Sequence, residues 1–296
     1  MQLVGLMLVR NESWVLNCTL RGALKWCDSV VVMDHASTDA TLDNINEISN
    51  EAGKGRVYIY HWPDGSKWDE MLQRQRLLEM GRSVGGTHFG LIDADEIVTA
   101  NNLGGIRGWV EQLNPGGVLD LPMIPVWGDL DHYRDDQSVW SKANLSTAFA
   151  DAPGMGWAPR GSEQYQHHNR VPHNSKGRVI PAAALTYLGG GVMHLQWASW
   201  KRVVAKHRRY KILERSRYPN YQVKDIDDKY NLAVSEQHPK RSAIPPVWWG
   251  DYHKSDIKLD SPIWFDEDSR RMINEKGVEY FNGLNLFGGV DEQDNH

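Results

Sequence analysis

The run Asp93-Ala94-Asp95-Glu96 directly follows the apolar segment His88 to Ile92. Two carboxylates two residues apart at the end of a strand can face one cavity. Clustered like charges persist best when a hard cation neutralises them. A Mg²⁺ or Mn²⁺ ion carrying diphosphate oxygens fits that requirement, and a solvated acidic turn is the plain alternative. A phosphatase with a nucleophilic aspartate would want its Asp-x-Asp in the first strand, with Thr or Val where this chain has Ile97. A second set of polar groups lies nearer the N-terminus, in Arg10-Asn11-Glu12 and in Asp34 through Asp39. These can accept hydrogen bonds from a nucleobase and ribose while Arg10 meets phosphate. Thr38 and Asp39 could simply cap a helix, which leaves Asp34 unexplained. If a hydroxyl is to be activated, a carboxylate further along must take its proton, and Asp129, Asp131 and Glu163 are the candidates.

These residues need a scaffold, and the hydrophobic pattern supplies one. Leu3 to Val9 is an apolar run, Ser13 to Trp26 has helical spacing, and Ser29 to Met33 is apolar and β-branched. A helix presenting Leu42, Ile45 and Ile48 follows, then a short strand at Val57 to Tyr60 and a helix carrying Trp68, Met71, Leu72 and Leu78. This alternation predicts an α/β fold with right-handed crossovers and helices on both faces of the sheet, with the acidic run at the carboxyl edge where such sheets bind ligands. Residues 1–115 form the expected nucleotide-binding half, 116–217 an acceptor and metal-completing half, and 218–296 a C-terminal extension, all within one compact unit.

Gly117 to Trp127 reads as a strand, and the stretch to about residue 180 as a loop-rich binding surface. Its His167, His168 and His173 are extra ligand candidates or ordinary polar-loop residues. A Gly-rich strand is expected over Leu185 to Gln196. It leads into a helix capped by Ser199, with Trp200, Val203, Val204 and Tyr210 on one face and cations around the rest. Trp127, Trp140, Trp157, Trp248 and Trp249 are core residues or stacking surfaces for an acceptor.

Composition narrows the class. The 296 residues carry a formal charge of −5, which is not the global signature of a nucleic-acid coat. Lys201 to Arg217, however, holds eight Lys or Arg residues against Glu214. Cys18 and Cys27 fall in one helical pattern, so a disulfide framework is not expected. The N-terminal residues do not read as a secretion signal, and no apolar run is long enough for a membrane span. The expected location is cytoplasmic. The Asn-x-Ser/Thr matches at Asn11, Asn17 and Asn144 read as chance.

Four elements in order now align with a known pattern: Leu8-Val9-Arg10-Asn11-Glu12, then Val30 to Asp34 with Ser37-Thr38-Asp39-Ala40-Thr41, then Arg74-Gln75, then Leu91-Ile92-Asp93-Ala94-Asp95-Glu96. Over about residues 1–100 the chain resembles family 2 glycosyltransferases of the GT-A fold. Ala40 replaces the usual Gly and Gln75 the usual Asn. The resemblance implies a Rossmann-like mixed sheet and a nucleotide-sugar donor, with UDP-sugar the first choice. It implies that Asp34 contacts base or ribose, that Asp93 contacts ribose or metal, that Asp95 holds the metal and that Arg74 lies near the donor. Val192 to Trp197 with Lys206 to Tyr210 looks like the family's late His and basic helix. There His194 would complete the metal shell, while Lys206 and Arg209 would meet the diphosphate. An inverting hexosyl transfer to a glycan or small-molecule hydroxyl follows by analogy. A hydroxylated nucleic-acid base reached through Lys201–Arg217 is a second acceptor class. A binding protein that has lost turnover is the alternative, and a nucleotidyltransferase would need a Gly-rich basic loop that Val9 to Glu12 does not resemble.

Overall fold

The computed structural model describes residues 1–62, 68–136, 138–158, 170–186, 188–235 and 238–287. Its first elements are β1 (Leu3–Val9), α1 (Leu16–Ala23), β2 (Ser29–Asp34), α2 (Thr41–Ala52), β3 (Val57–His61), α3 (Glu70–Ser83) and β4 (His88–Asp93). Next come β5 (Glu96–Val98), α4 (Leu103–Glu111), β6 (Val118–Pro125), β7 (His132–Arg134), β8 (Asn144–Ala150), β9 (Arg178–Val179) and β10 (Val192–His194). The remainder comprises α5 (Trp200–Arg217), α6 (Val223–Ser235), β11 (Arg241–Ala243), α7 (Pro246–Trp249) and α8 (Trp264–Lys276).

The chain divides into two units: Met1–Pro125 with Gln137–Leu195 and Ala243–Lys258, and Val126–Asp136 with Gln196–Ser242 and Leu259–His296. The first holds a mixed sheet in the order β3-β2-β1-β4-β8-β6-β10-β5, with β9 beside β6. β1 pairs in parallel with both β2 and β4, and β2 with β3, as the alternating pattern predicts. β8 is inserted antiparallel between β4 and β6.

Side chains alternate across this sheet with period two. Leu3, Met7, Val30, Val32 and Ile92 pack on one face with Leu16 and Leu20 of α1, Ile45 and Ile48 of α2, and Ile106 and Val110 of α4. Val4, Leu6, Val31, Met33, Phe89 and Leu91 pack on the other with Met71, Leu77 and Leu78 of α3. Burial on both faces explains why β1, β2 and β4 read as continuous apolar runs.

Several expectations change. The first helix is shorter than Ser13 to Trp26, so Cys18 lies in α1 and Cys27 beyond it. Both cysteines are free and buried, and burial pushes the Cys18 thiol up to about 12. α2 starts at Thr41 without a side-chain cap, although Asp39 Oδ1 accepts from the Thr41 amide at 3.0 Å. The loop-rich stretch contains β7 and β8. The strand expected over Leu185 to Gln196 contracts to Val192–His194, because its glycines serve close approach instead. A Cβ on Gly191 would come within 2.0 Å of the Pro122 carbonyl oxygen, and Gly190 has φ +70°. Ser199 is the N-cap of α5 but makes no side-chain capping bond.

In the second unit, Ile212 of α5, Met272 of α8 and Phe281 form a small core, with Leu213, Ile273 and Tyr280 packed against it. Among the described residues, no helix is long and apolar enough to cross a membrane.

Candidate functional site

The acidic run sits where β4 ends and β5 begins. Glu96 returns along β5, which pairs antiparallel with β10 so that His194 stands opposite Glu96. β10 is also parallel to β6, with His194 beside Pro125. This register carries a late histidine to the acidic turn. His194 Nε2 lies 3.5 Å from Asp95 Oδ1, and the Leu195 amide donates to the Asp95 carbonyl at 2.8 Å. From the far side, Thr19 of α1 donates its hydroxyl to the Ala94 carbonyl at 2.7 Å. The turn is thereby held by a helix, a strand and the residue after that strand.

Two described arginines reach the acidic run. Arg170 Nη1 is 2.8 Å from both Asp93 Oδ2 and Glu96 Oε1. Its Nη2 donates to Glu96 Oε2 and to the Leu91 carbonyl, and its Nε to the Ser146 carbonyl. Arg74 Nη2 lies 3.2 Å from Asp93 Oδ1, and its Nε is 2.7 Å from Glu70 Oε1. Burial pushes the Asp93 carboxyl up, but the guanidinium groups of Arg170 and Arg74 outweigh it and hold the group below the usual carboxylate range. Burial dominates at Glu96, only 2% exposed, and raises its carboxyl against the pull of Arg170. Burial opposes the charge on Arg170, while Glu96 and Asp93 more than restore it.

The donor set of a metal can be tested on this arrangement. Among the described residues, no three His, Cys, Asp or Glu side chains converge to hold an ion. Asp95 and His194 do converge, offering one hard oxygen and one imidazole. That suits an ion that takes its remaining ligands from water and substrate phosphates, which is how Mg²⁺ is usually held.

The two N-terminal loops are tied to one another. Asn11, at φ 54°, donates its amide to Ser37 Oγ at 2.9 Å and accepts from the Thr38 amide at 2.7 Å. Asp39 Oδ2 accepts from Ser13 Oγ at 2.6 Å, and Glu12 Oε2 accepts from the Trp14 indole at 2.7 Å. Asp34, the residue that capping could not explain, is buried at the end of β2 and accepts from the Ser37 amide at 3.2 and 3.3 Å. Arg10 Nη1 lies 3.0 Å from Nδ1 of the fully buried His35, whose ring is flanked by Trp62 and Trp68 at 6.5 and 5.1 Å. His35 is a residue that the sequence singled out only as part of a turn. Gln75, in the place where the pattern has Asn, accepts from the Trp157 amide at 2.8 Å.

Asp129, Asp131, Lys206 and Arg209 belong to the second unit, and Glu163, His167 and His168 lie outside the described residues. His173 bridges to Gly156. Asp129 accepts from the amides of Asp131 and His132, both at 2.8 Å, and from the His132 ring. Burial raises its carboxyl, but these donors prevail and lower it, so Asp129 is a turn-former and a weakened base. Asp131 is exposed beside it.

The cationic helix also differs from its expected form. Arg202, Arg208 and Lys211 are buried. Arg208 pairs with Asp266 at 2.7 Å, Lys211 with Asp227 at 2.8 Å, and Arg209 with Asp268 while its guanidinium covers the Trp264 ring. Lys206 donates to Gln196 Oε1. Arg208, Arg209 and Lys211 therefore bind the second unit internally, while Lys201 is exposed. Trp127, Trp157, Trp248 and Trp249 are buried core residues and not acceptor surfaces, and Trp140 is half-buried.

No protein-family model matches the chain, and no curated protein matches its sequence. Among solved structures the chain is similar to S. aureus TarS 1-349 in complex with UDP, at 16% identity and a TM-score of 0.38, over 71% of this chain and 49% of that one. The chain thus spans about half the length of that structure. A second structure of S. aureus TarS 1-349 gives 12% identity and a TM-score of 0.46 over 95% and 83%. The mannosyltransferase PcManGT from Pyrobaculum calidifontis, in complex with GDP-Man and Mn²⁺, gives 16% and 0.34 over 40% and 35%.

Proposed function

We propose that the chain is a metal-dependent glycosyltransferase that moves a sugar from a nucleoside-diphosphate sugar to a hydroxyl of a glycan or small molecule. One observation carries this reading. The carboxyl ends of β1, β2, β4 and β10 lie on one edge of one sheet, and they bring Arg10-Asn11-Glu12, Asp34, Asp93 to Glu96 and His194 to that edge. Ligands of open α/β sheets bind at this edge. The motif order in the sequence supports the same reading.

In this reading Arg10, Asn11, Glu12, Asp34 and Asp39 form the base and ribose side of the donor site. Their mutual hydrogen bonds fix its shape before the donor arrives, which lowers the ordering cost of binding. Arg74 and Asp93 border the diphosphate. Asp95 and His194 would hold a Mn²⁺ or Mg²⁺ ion, which would offset the charge that grows on the leaving nucleoside diphosphate. The acceptor hydroxyl attacks the anomeric carbon, and an inverting reaction requires a carboxylate to take its proton. Asp131 and Glu163 remain candidates for that task, whereas Asp129 is committed to its turn. Lys206 and Arg209 would have to exchange Gln196 and Asp268 for the diphosphate, so the donor site is assigned to first-unit residues alone.

The test is a panel of UDP-, GDP- and TDP-sugars with Mn²⁺ or Mg²⁺, scored by thermal shift and by slow donor hydrolysis, on the native chain and Asp95→Ala. The expected result is metal-dependent stabilisation by one nucleotide class, absent from the variant, together with turnover. Binding without hydrolysis or transfer would indicate a nucleotide-sugar-binding protein. The absence of binding at any metal concentration would end the glycosyltransferase reading.

A further inference from the structure

Gln73 lies in the first turn of α3 and is fully buried, yet neither its Nε2 nor its Oε1 has a hydrogen-bond partner among the described residues. Buried polar side chains are nearly always paired, because an amide stripped of water without a replacement bond is costly. A Leu or Met side chain would fill a similar space without that cost. The unmade bonds are a donor and an acceptor side by side, and an amide meets the edge of a nucleobase through both at once.

The helix sets this amide on the side of the sheet edge where the two N-terminal loops lie. Successive helical residues turn by about 100°, so Gln73 and Gln75 stand on opposite flanks of α3. Gln75 accepts from the Trp157 amide, so its flank faces the segment that follows β8. The flank of Gln73 faces the other way, toward β2. There Trp68, just before α3, meets the His35 ring at 5.1 Å, and Leu77, one turn beyond Gln73, joins the core cluster of Val31 and Met33. Asp34 at the end of β2 is also short of partners. Its buried carboxylate has about four acceptor positions, and among the described residues it receives the Ser37 amide alone.

We infer that Gln73 is a specificity-determining residue whose amide hydrogen-bonds the edge of the donor's nucleobase. This inference rests on the nucleotide-sugar reading of the site. Gln73 lies outside the four sequence elements that carry the family resemblance, so nothing in that resemblance assigns it a role. The amide is sealed from solvent in the unliganded chain, and a base reaches it only as neighbouring side chains move aside. The base then restores the bonds that the closed form leaves unmade, and the amide selects among bases in a way that contacts to the diphosphate cannot.

Gln73→Met keeps the length and bulk of the side chain and removes both polar atoms. UDP, GDP, CDP and ADP, each with Mg²⁺, and inorganic pyrophosphate as a base-free control are titrated calorimetrically into the full native chain and the variant. The native chain should prefer one base. In the variant, affinity for that nucleotide should fall about tenfold to a hundredfold, the worth of one or two hydrogen bonds. The preference among bases should flatten, and pyrophosphate affinity should stay native. Without ligand, the variant should melt at the native temperature or above it, because the closed form loses no bond. Gln73→Leu repeats the test with a different shape, which separates loss of the amide from a packing defect peculiar to Met. Native affinity and base preference in both variants overturn the inference, and so does an equal loss for pyrophosphate. A drop of several degrees in the unliganded melting temperature of both variants overturns it too, because the amide would then be paired in the resting protein through ordered water. A native chain that binds no nucleotide defeats the functional reading together with this inference, whereas one that prefers a base exactly as its variants do defeats the inference alone.

Discussion

His194 Nε2 stands 3.5 Å from Asp95 Oδ1, although the two residues come from strands far apart in the chain. The pairing of β10 with β5 creates this proximity, because it sets His194 opposite Glu96 and leaves Asp95 at the adjoining turn. The backbone ladders to β5 and β6 hold β10 in place. His194→Ala should therefore leave the unfolding temperature of the unliganded chain within a degree or two. It should weaken Mn²⁺ binding in the presence of UDP or GDP by at least roughly the 10–100-fold seen when metal-site hydrogen-bond partners are lost. Calorimetric titration decides the matter: native Mn²⁺ affinity in the variant would remove His194 from the metal site.

Thr19 supports the same turn from behind. Its hydroxyl donates to the Ala94 carbonyl at 2.7 Å, and its side chain is fully buried. Thr19→Val keeps the shape and deletes the donor, leaving a buried carbonyl without that hydrogen bond at a cost of about 1–3 kcal/mol. Thr19→Ser keeps the donor and loses a methyl group, worth about 1 kcal/mol. Urea unfolding should rank the chains native, then Ser, then Val. Nucleotide-dependent Mn²⁺ affinity should follow the hydroxyl and fall only in Val. Equal metal affinity in Ser and Val would mean that Thr19 does not position the turn.

The parallel core and the acidic turn were legible because the chemistry that builds them is local. Residues of β1, β2 and β4 are buried on both faces, so they appear as unbroken apolar runs, and Asp93 to Glu96 stands out as soon as β4 ends. β8 was not legible. Its buried Ser146 and Thr147 look polar in sequence, and they are tolerated inside because Ser146 bonds Asp120 and Thr147 bonds the Leu145 carbonyl. Arg170 was hidden for another reason: it follows a polar, His-rich stretch, and no spacing rule links it to carboxylates so distant in the chain. The cationic helix was misjudged because helical periodicity assigns charge to solvent. The available signal was the matching acid content of α6 and α8, where Asp227, Asp266 and Asp268 supply partners for Lys211, Arg208 and Arg209.

Those partners give the second unit a pH signature. Asp268, 9% exposed, accepts from Arg209 Nε at 2.5 Å and from Arg271 Nη2 at 2.7 Å. Burial raises its carboxyl, but the two guanidinium groups prevail and hold it below the ordinary range. A carboxyl lowered on folding adds stability that is fully present above its unfolded value of about 3.9 and is lost as pH falls through the lower folded value. Asp268→Asn should therefore cost about 1.5–3 kcal/mol near neutrality, the worth of charge-assisted hydrogen bonds. The gap from native should stay level down to about pH 4–5 and close below it. Urea unfolding of both chains at pH 7, 5, 4 and 3 measures the gap directly, and groups common to both chains cancel. A gap that persists unchanged at pH 3, or widens on acidification, would show that Asp268 contributes through packing and not through its charge.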